Sequence, residues 1–329
     1  MPKYVVLDGQ NCFEKIFDIE GDILKARGID TVIAECKTVE DIVKAASDAD
    51  AVGVIAQKIS GSLMDTLARC KILVRYGIGY DCISVPEATQ RGIAVCNLPD
   101  YCIPEVAAHA LGMILDCCRK ITLFDRRLRD GIWNGDYGYR IHRLSGLKLG
   151  IIGLGNIGRT LAEFTKPLGM ETYACDPYLD DGIFRKYGVI KASLDEVCAK
   201  SDIISIHCPL TNETRHLINR ESIAKMKDGV IIVNTARGPI VSLDDITEAL
   251  QSGKVRAAGI DVFEGEPDVQ MNHAIFRCEN AILTPHCAYN SSEAVIDQHK
   301  KVAKSVIEVL AGNIPYNCVN RKELEKQGK

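Results

Sequence analysis

Three short segments each carry an ionisable residue just past an apolar run: Val233-Asn234-Thr235-Ala236-Arg237-Gly238, Asp261-Val262-Phe263-Glu264-Gly265-Glu266-Pro267 and Leu283-Thr284-Pro285-His286-Cys287-Ala288. Together they offer a guanidinium, a carboxylate and an imidazole. The planar fork of Arg237 matches a carboxylate and a keto oxygen. His286 would protonate a carbonyl oxygen as hydride arrives, or take the hydroxyl proton in reverse. Glu266 would bond the other imidazole nitrogen, fix its tautomer and raise its pKa, with Glu264 competing for that place. The trio suits hydride chemistry at C2 of a 2-oxo acid. Taken singly, each has a plainer reading: a histidine after a strand is more often structural, and an arginine there can be a surface ion pair. What joins them is their order behind a dinucleotide signature.

That signature is Gly153-Leu154-Gly155-Asn156-Ile157-Gly158, behind the apolar run Leu149–Ile152 and ahead of a helical stretch, Arg159–Leu168. In a GxGxxG turn, Gly153 permits the bend, Gly155 leaves room for a pyrophosphate and Gly158 lets helix and strand pack closely. The helix start adds N–H donors and the positive end of the dipole. The next apolar run, Glu171–Cys175, ends in Asp176, 18 residues after Gly158. An acid there accepts both ribose hydroxyls and repels a 2′-phosphate, which favours NAD over NADP.

The elements that must position these residues alternate between strand and helix. Strands are expected at Tyr4–Leu7, Ala51–Ile55, Ile72–Arg75, Leu149–Ile152, Glu171–Cys175, Ile203–His207, Val230–Asn234, Ala257–Asp261 and Ala281–Thr284. Continuous apolar strands alternating with helices predict parallel α/β sheets covered on both faces. Asn97–Pro104 is bracketed by prolines and fits neither a central strand nor mid-helix. Glu105–Ile121 and Ser291–Gly312 read as long amphipathic helices, and the segment after the second is short and polar. The expected architecture is two Rossmann-like domains, one flavodoxin-like and one dinucleotide-binding, with an interdomain cleft. Residues 1–98 and 290–329 would form the substrate domain and 99–289 the NAD domain.

The chain has 329 residues, enough for two domains of ordinary size. With 40 basic and 44 acidic residues the net charge is 40 − 44 = −4, which disfavours nucleic acid as a partner. No apolar run is long enough to span a membrane, and the first apolar run, broken at Asp8, is too short for a secretory leader. The 14 cysteines form no CxxC pair and no zinc-type cluster with histidine, so no metal is expected, and they read as reduced thiols of a cytoplasmic protein.

The motifs GLGNIG at 153–158, DPY at 176–178, SIHCPLTNET at 205–214, NTARG at 234–238, DVFEGEP at 261–267 and TPHCA at 284–288 form a specific set. Along nearly its whole length the chain resembles the NAD-dependent D-2-hydroxyacid dehydrogenases. The resemblance implies that Arg237, Glu266 and His286 are catalytic. It further implies that Cys208-Pro209, Thr235-Ala236 and Asp261 line the nicotinamide side, with Asp261 on the carboxamide. It also implies that backbone N–H groups of Ile78 and Gly79, in Arg75-Tyr76-Gly77-Ile78-Gly79-Tyr80-Asp81, bind the substrate carboxylate. Gly-rich turns expose amides to anions in this way. Arg75 would add charge at that end. The family is usually dimeric through the NAD domain, which puts the helix from Glu105 in a homodimer contact.

Within the family, Asp176-Pro177-Tyr178-Leu179, Arg75 and the ending Ile314-Pro315…Asn317-Cys318-Val319-Asn320 look most like the C-terminal-binding proteins, dehydrogenase-like corepressors. Tyr289 matches their pocket-walling aromatic. That leaves an NAD(H)-sensing binding protein as the alternative to an enzyme, though the long flanking tails of a regulator are missing. Phosphoglycerate dehydrogenases are the next relatives: Arg75 and Arg140…His142-Arg143 are cations available to a phosphate, while the C-terminal regulatory domain that some of them carry is not in the chain. The formate branch is disfavoured, because it replaces the histidine's carboxylate partner with an amide and Glu266 is intact. Trp133 is expected at a domain or subunit contact, Cys117-Cys118 in the core, and Cys287 inert.

Overall fold

A computed structural model describes residues 1–7, 14–135 and 141–328; Asp8 and Arg140 lie outside the described residues. The chain divides into two compact units, Met1–Tyr101 with Ser291–Lys329, and Cys102–Asn290.

In the first unit the described strands are β1 (Lys3–Leu7), β2 (Asp30–Ala34), β3 (Ala51–Val54), β4 (Ile72–Arg75) and β5 (Ala94–Cys96). They form one parallel sheet in the order β2-β1-β3-β4-β5, the flavodoxin-like arrangement. Val5, Leu7, Val52, Val54, Leu73 and Val95 are almost fully buried, as strands covered on both faces require. The helix Ser292–Leu310 belongs to this unit and buries Ala294, His299, Val302, Ala303 and Val306. His299 Nδ1 lies 3.0 Å from Oε2 of the buried Glu20, whose other oxygen accepts from Tyr76; Tyr76 Oη lies 2.7 Å from Tyr4 Oη. Burial pushes the Glu20 carboxyl up. The segment after this helix is more than a polar tail. Asn320 accepts from Val95 N–H at 2.9 Å and donates to the Ile93 carbonyl at 2.9 Å, stapling a short helix, Arg321–Lys326, beside β5.

In the second unit the described strands are β6 (Lys148–Ile152), β7 (Glu171–Cys175), β8 (Ile190–Lys191), β9 (Ile203–Ile206), β10 (Val230–Asn234), β11 (Val255–Ile260) and β12 (Ala281–Leu283). The order is β12-β11-β10-β9-β6-β7-β8, all parallel. The chain reverses direction across the sheet between β6 and β9, the switch point where doubly wound sheets bind ligands.

The long helix runs Ile103–Arg119, with Pro104 and Glu105 in its first turn. It ends at Lys120, whose φ of 58° breaks the run before a second helix, Ile121–Arg129. Its Ala107, Ala110, Ile114 and Cys117 pack with Leu149, Ile151, Leu161 and Val233 of its own unit. Its apolar face is therefore used inside the chain and is no argument for a subunit contact. Cys117 and Cys118 are in the core, while Trp133 is 90% exposed in the single chain. Three short strands escaped the sequence reading: β2, β5 and β8. No helix among the described residues is long and apolar enough to cross a membrane.

Candidate active site

Strand β6 delivers the GxGxxG turn to the switch point. Gly153 sits at φ +92°, and an added Cβ would lie 2.6 Å from the Cys208 amide nitrogen. The 153 turn and the 207–208 backbone after β9 thus touch at a place where only glycine fits. A Cβ on Gly158 would lie 2.3 Å from the Gly153 carbonyl oxygen, so the helix Asn156–Thr165 packs directly on the turn. A Cβ on Gly155 meets nothing within 4 Å. The helix has no side-chain cap, which leaves its first-turn amides, those of Asn156 and Ile157 among them, open to an anion. Asp176, just past β7, accepts from Leu154 N–H at 2.9 Å and Tyr178 N–H at 3.1 Å. It stands beside the turn with acceptor oxygens.

Past β9, His207 Nε2 lies 2.8 Å from Ser205 Oγ, and burial pushes the His207 imidazole down to about 4. A neutral imidazole therefore anchors the segment that carries Cys208 and Pro209. Past β10, the Asn234 side chain accepts from Ala236 N–H at 3.0 Å and donates to the Arg237 carbonyl at 2.9 Å, stapling the turn. Arg237 Nη1 donates to the Ala236 carbonyl at 2.7 Å. A Cβ on Gly238 would lie 2.0 Å from the Phe263 carbonyl carbon, so this turn is pressed against the one after β11. Thr235 Oγ1 is buried and has no hydrogen-bond partner among the described residues. An orphaned hydroxyl at the end of β10, two strands from the GxGxxG strand, fits a polar ligand such as a nicotinamide.

The fully buried Asp261 organises the last turn. Its carboxylate accepts from Thr284 Oγ1 at 2.5 Å, Cys287 N–H at 3.0 Å and Ala288 N–H at 3.1 Å, and its carbonyl accepts from His286 N–H at 2.7 Å. These bonds hold His286 at φ 50°, a left-handed conformation that costs a non-glycine residue about 1–2 kcal/mol. The strained turn presents the imidazole. Its Nδ1 lies 2.6 Å from Glu266 Oε2, while Glu266 Oε1 accepts from Phe263 N–H. A carboxylate on Nδ1 makes that nitrogen the donor and leaves Nε2 to face a reactant. Glu264 takes no part: it bonds Arg215 Nη1 at 3.1 Å and His216 Nε2 at 3.2 Å. Tyr289 stacks edge-on to His286, with centroids 6.5 Å apart. Burial pushes the Cys287 thiol up, in keeping with an inert role.

Sequence reasoning missed two supports of the site. His109, on the long helix, lies 3.1 Å from Thr284 Oγ1, in a hydrogen-bonded chain His109–Thr284–Asp261. Ligand atoms of His109, Asp261 and Cys287 come within 4.8 Å of one another, with the Thr284 hydroxyl shared between His109 and Asp261. No spacing rule joins a helical histidine to a threonine 175 positions later. His207 lies inside the SIHCPLTNET motif, and only its bond to Ser205 Oγ reveals its role.

In the other unit, the loop after β4 carries Ile78 and Gly79. Neither amide has a protein acceptor among the described residues. Arg75 turns onto its own loop, where Nη1 donates to the Tyr76 carbonyl.

Residues 111–288 match the family model described as D-isomer specific 2-hydroxyacid dehydrogenase, NAD binding domain. The chain is 42% identical over 240 residues to a hydroxypyruvate reductase of Thermotoga maritima, covering 73% of this chain and 77% of that one. It is 35% identical over 319 residues to a D-3-phosphoglycerate dehydrogenase of Methanocaldococcus jannaschii, covering 96% of this chain and 59% of that longer protein. A crystal structure of D-lactate dehydrogenase from Aquifex aeolicus with NAD and lactic acid superposes with a TM-score of 0.84 at 27% identity, over 98% of both chains. A dinucleotide turn at the switch point, a bonded imidazole–carboxylate pair and these matches agree: the chain belongs to the D-isomer specific 2-hydroxyacid dehydrogenase family and carries its NAD binding domain.

Proposed function

We propose that this chain moves a hydride between NAD(H) and C2 of a small 2-oxo or D-2-hydroxy acid. The observation that carries the reading is the 2.6 Å His286–Glu266 bond on a turn that Asp261 holds in a strained conformation. His286 Nε2 gives its proton to the substrate oxygen during reduction and takes it back during oxidation. Glu266 holds Nδ1–H, so the ring keeps one orientation through both steps. Arg237 polarises the C2 oxygen through its guanidinium N–H groups. NAD(H), when bound, supplies or accepts the hydride. The open first-turn amides of Asn156 and Ile157 take its pyrophosphate, Asp176 its ribose hydroxyls, and Thr235 with the 208–209 backbone its nicotinamide side, with Asp261 on the carboxamide. The free amides of Ile78 and Gly79 take the substrate carboxylate. On this reading residues 1–98 with 290–329 form the substrate domain and 99–289 the NAD domain.

The names of the relatives favour hydroxypyruvate or its phosphate as the substrate class. Against the phosphate, Arg75 is already tied to the Tyr76 carbonyl. Tyr289 beside His286 would instead wall a pocket for an apolar side chain. The test is NADH oxidation with glyoxylate, pyruvate, hydroxypyruvate, phosphohydroxypyruvate, 4-methyl-2-oxopentanoate and phenylpyruvate. Rapid turnover of one member supports the enzyme and names its side chain. Tight NADH binding with no turnover on any of them would refute it in favour of an NAD(H)-sensing binding protein.

We further propose a homodimer formed through exposed apolar residues beyond the long helix, Ile121, Leu128 and Trp133, and a reducing, cytoplasmic setting that suits a chain rich in buried thiols.

A further inference from the structure

The two amides assigned to the substrate carboxylate are aimed by residues outside their own loop. In a trans peptide the C=O and the following N–H are antiparallel. The Gly77 carbonyl accepts from Leu98 N–H at 2.9 Å, which turns the Ile78 N–H away from the 97–98 segment. The Ile78 carbonyl accepts from Asn97 Nδ2 at 2.6 Å, which turns the Gly79 N–H the same way. Asn97 is itself clamped: its carbonyl accepts from Asn317 Nδ2 at 2.6 Å, and its N–H donates to the Asn317 carbonyl at 3.3 Å. Asn317 Nδ2 also reaches Ser305 Oγ at 2.9 Å on the helix Ser292–Leu310. Asn97 and Asn317 are both buried, so water is a poor substitute for these bonds.

We propose that Asn97 is a positioning residue for carboxylate recognition, with Asn317 as its anchor, so that the C-terminal segment of the chain sets affinity for the acid. The inference rests on the reading of the Ile78–Gly79 loop as the carboxylate site. Asn97 touches neither hydride nor proton. Its loss frees the Ile78–Gly79 peptide to rotate and weakens one charge-assisted bond to the substrate, while Ile78, held by Leu98, keeps its aim.

The test uses the full-length protein and its Asn97→Ala and Asn317→Ala variants. KM for the preferred 2-oxo acid should rise about tenfold to a hundredfold in Asn97→Ala, the range for one charge-assisted bond, and less in Asn317→Ala. The rate at saturating acid and the affinity for NADH should stay within about twofold. Sodium oxamate, a carboxylate that mimics a 2-oxo acid, is then titrated into ¹⁵N-labelled, NADH-loaded protein. Oxamate should move the Ile78 and Gly79 amide resonances in the wild type, and that of Gly79 far less in Asn97→Ala. An unchanged KM with an unchanged Gly79 response would overturn the positioning role. So would a fall in saturating rate at constant KM. If oxamate leaves both amides still in the wild type, the carboxylate site itself is wrong. Wild-type inertness toward every 2-oxo acid would instead refute the enzyme reading. A variant that fails to fold loses the dispersed spectrum, and Asn97→Ser, a shorter donor, then carries the test.

Discussion

Replacing Gly155 and Gly158 separately by alanine separates two demands that the glycine-rich turn combines. At Gly155 an added methyl meets nothing within 4 Å, and φ −67°, ψ −164° is open to alanine. Alanine is a poorer helix cap than glycine by up to about 1 kcal/mol. It also lowers unfolded-state entropy, which returns about 0.4–1 kcal/mol. The two nearly cancel, so Tm should move by no more than about 4 °C. On the proposed reading a methyl at 155 nonetheless occupies the space a pyrophosphate needs. Losing one charge-assisted amide bond costs about 1.5–3 kcal/mol, a factor of about 10–150 in the Kd for NADH. At Gly158 the methyl would sit 2.3 Å from the Gly153 carbonyl oxygen, where ordinary contact begins near 3.4 Å. The helix must retreat by about 1 Å, an overpacking penalty of about 1–3 kcal/mol against a propensity gain of about 1. Gly158→Ala should therefore lose stability and NADH affinity together. Fluorescence titration gives Kd and urea unfolding gives stability. A Gly155→Ala protein that binds NADH within twofold of wild type would refute the reasoning, as would one that loses several kcal/mol of stability.

His286→Ala should abolish turnover in stopped-flow assays while NADH titrations stay within about twofold of wild type. Glu266→Gln should lower kcat by about a hundredfold, since general acid–base groups contribute about 10²–10⁴, whereas Glu264→Gln, whose ion pairs are exposed, should change kcat by less than twofold. His207 has its folded pKa depressed from 6.5 to about 4, so the folded protein binds fewer protons than the unfolded chain between those values. Stability should fall as pH drops from about 6.5 to about 4, and His207→Gln should flatten that slope in urea titrations.

Much of the fold was legible because a strand buried on both faces must be continuously apolar. Ile72–Arg75, Glu171–Cys175 and Val230–Asn234 have the bounds their composition predicts. The missed strands lack that imprint. β2 is a partly exposed edge, β8 has two exposed residues, and β5, though apolar and buried, is only three residues long. The motif residues were legible for a different reason: a tight turn at the end of a strand writes glycine, asparagine and the reacting group into adjacent positions. Which carboxylate meets His286 was not written there. Glu264 and Glu266 are two apart, and only the path of the 263–266 turn puts Glu266 on the imidazole and Glu264 on Arg215 and His216. The supports came from farther still. His109 reaches Thr284 from a helix, and Asn317 reaches Asn97 from 220 positions away. The sequence by itself determined most of the strands, the glycine turn and the candidate reacting groups, because those depend on local periodicity and steric limits. The tertiary structure decided which groups are held, by what, and in which direction, because buried polar atoms take their partners from whatever folding brings within about 3 Å.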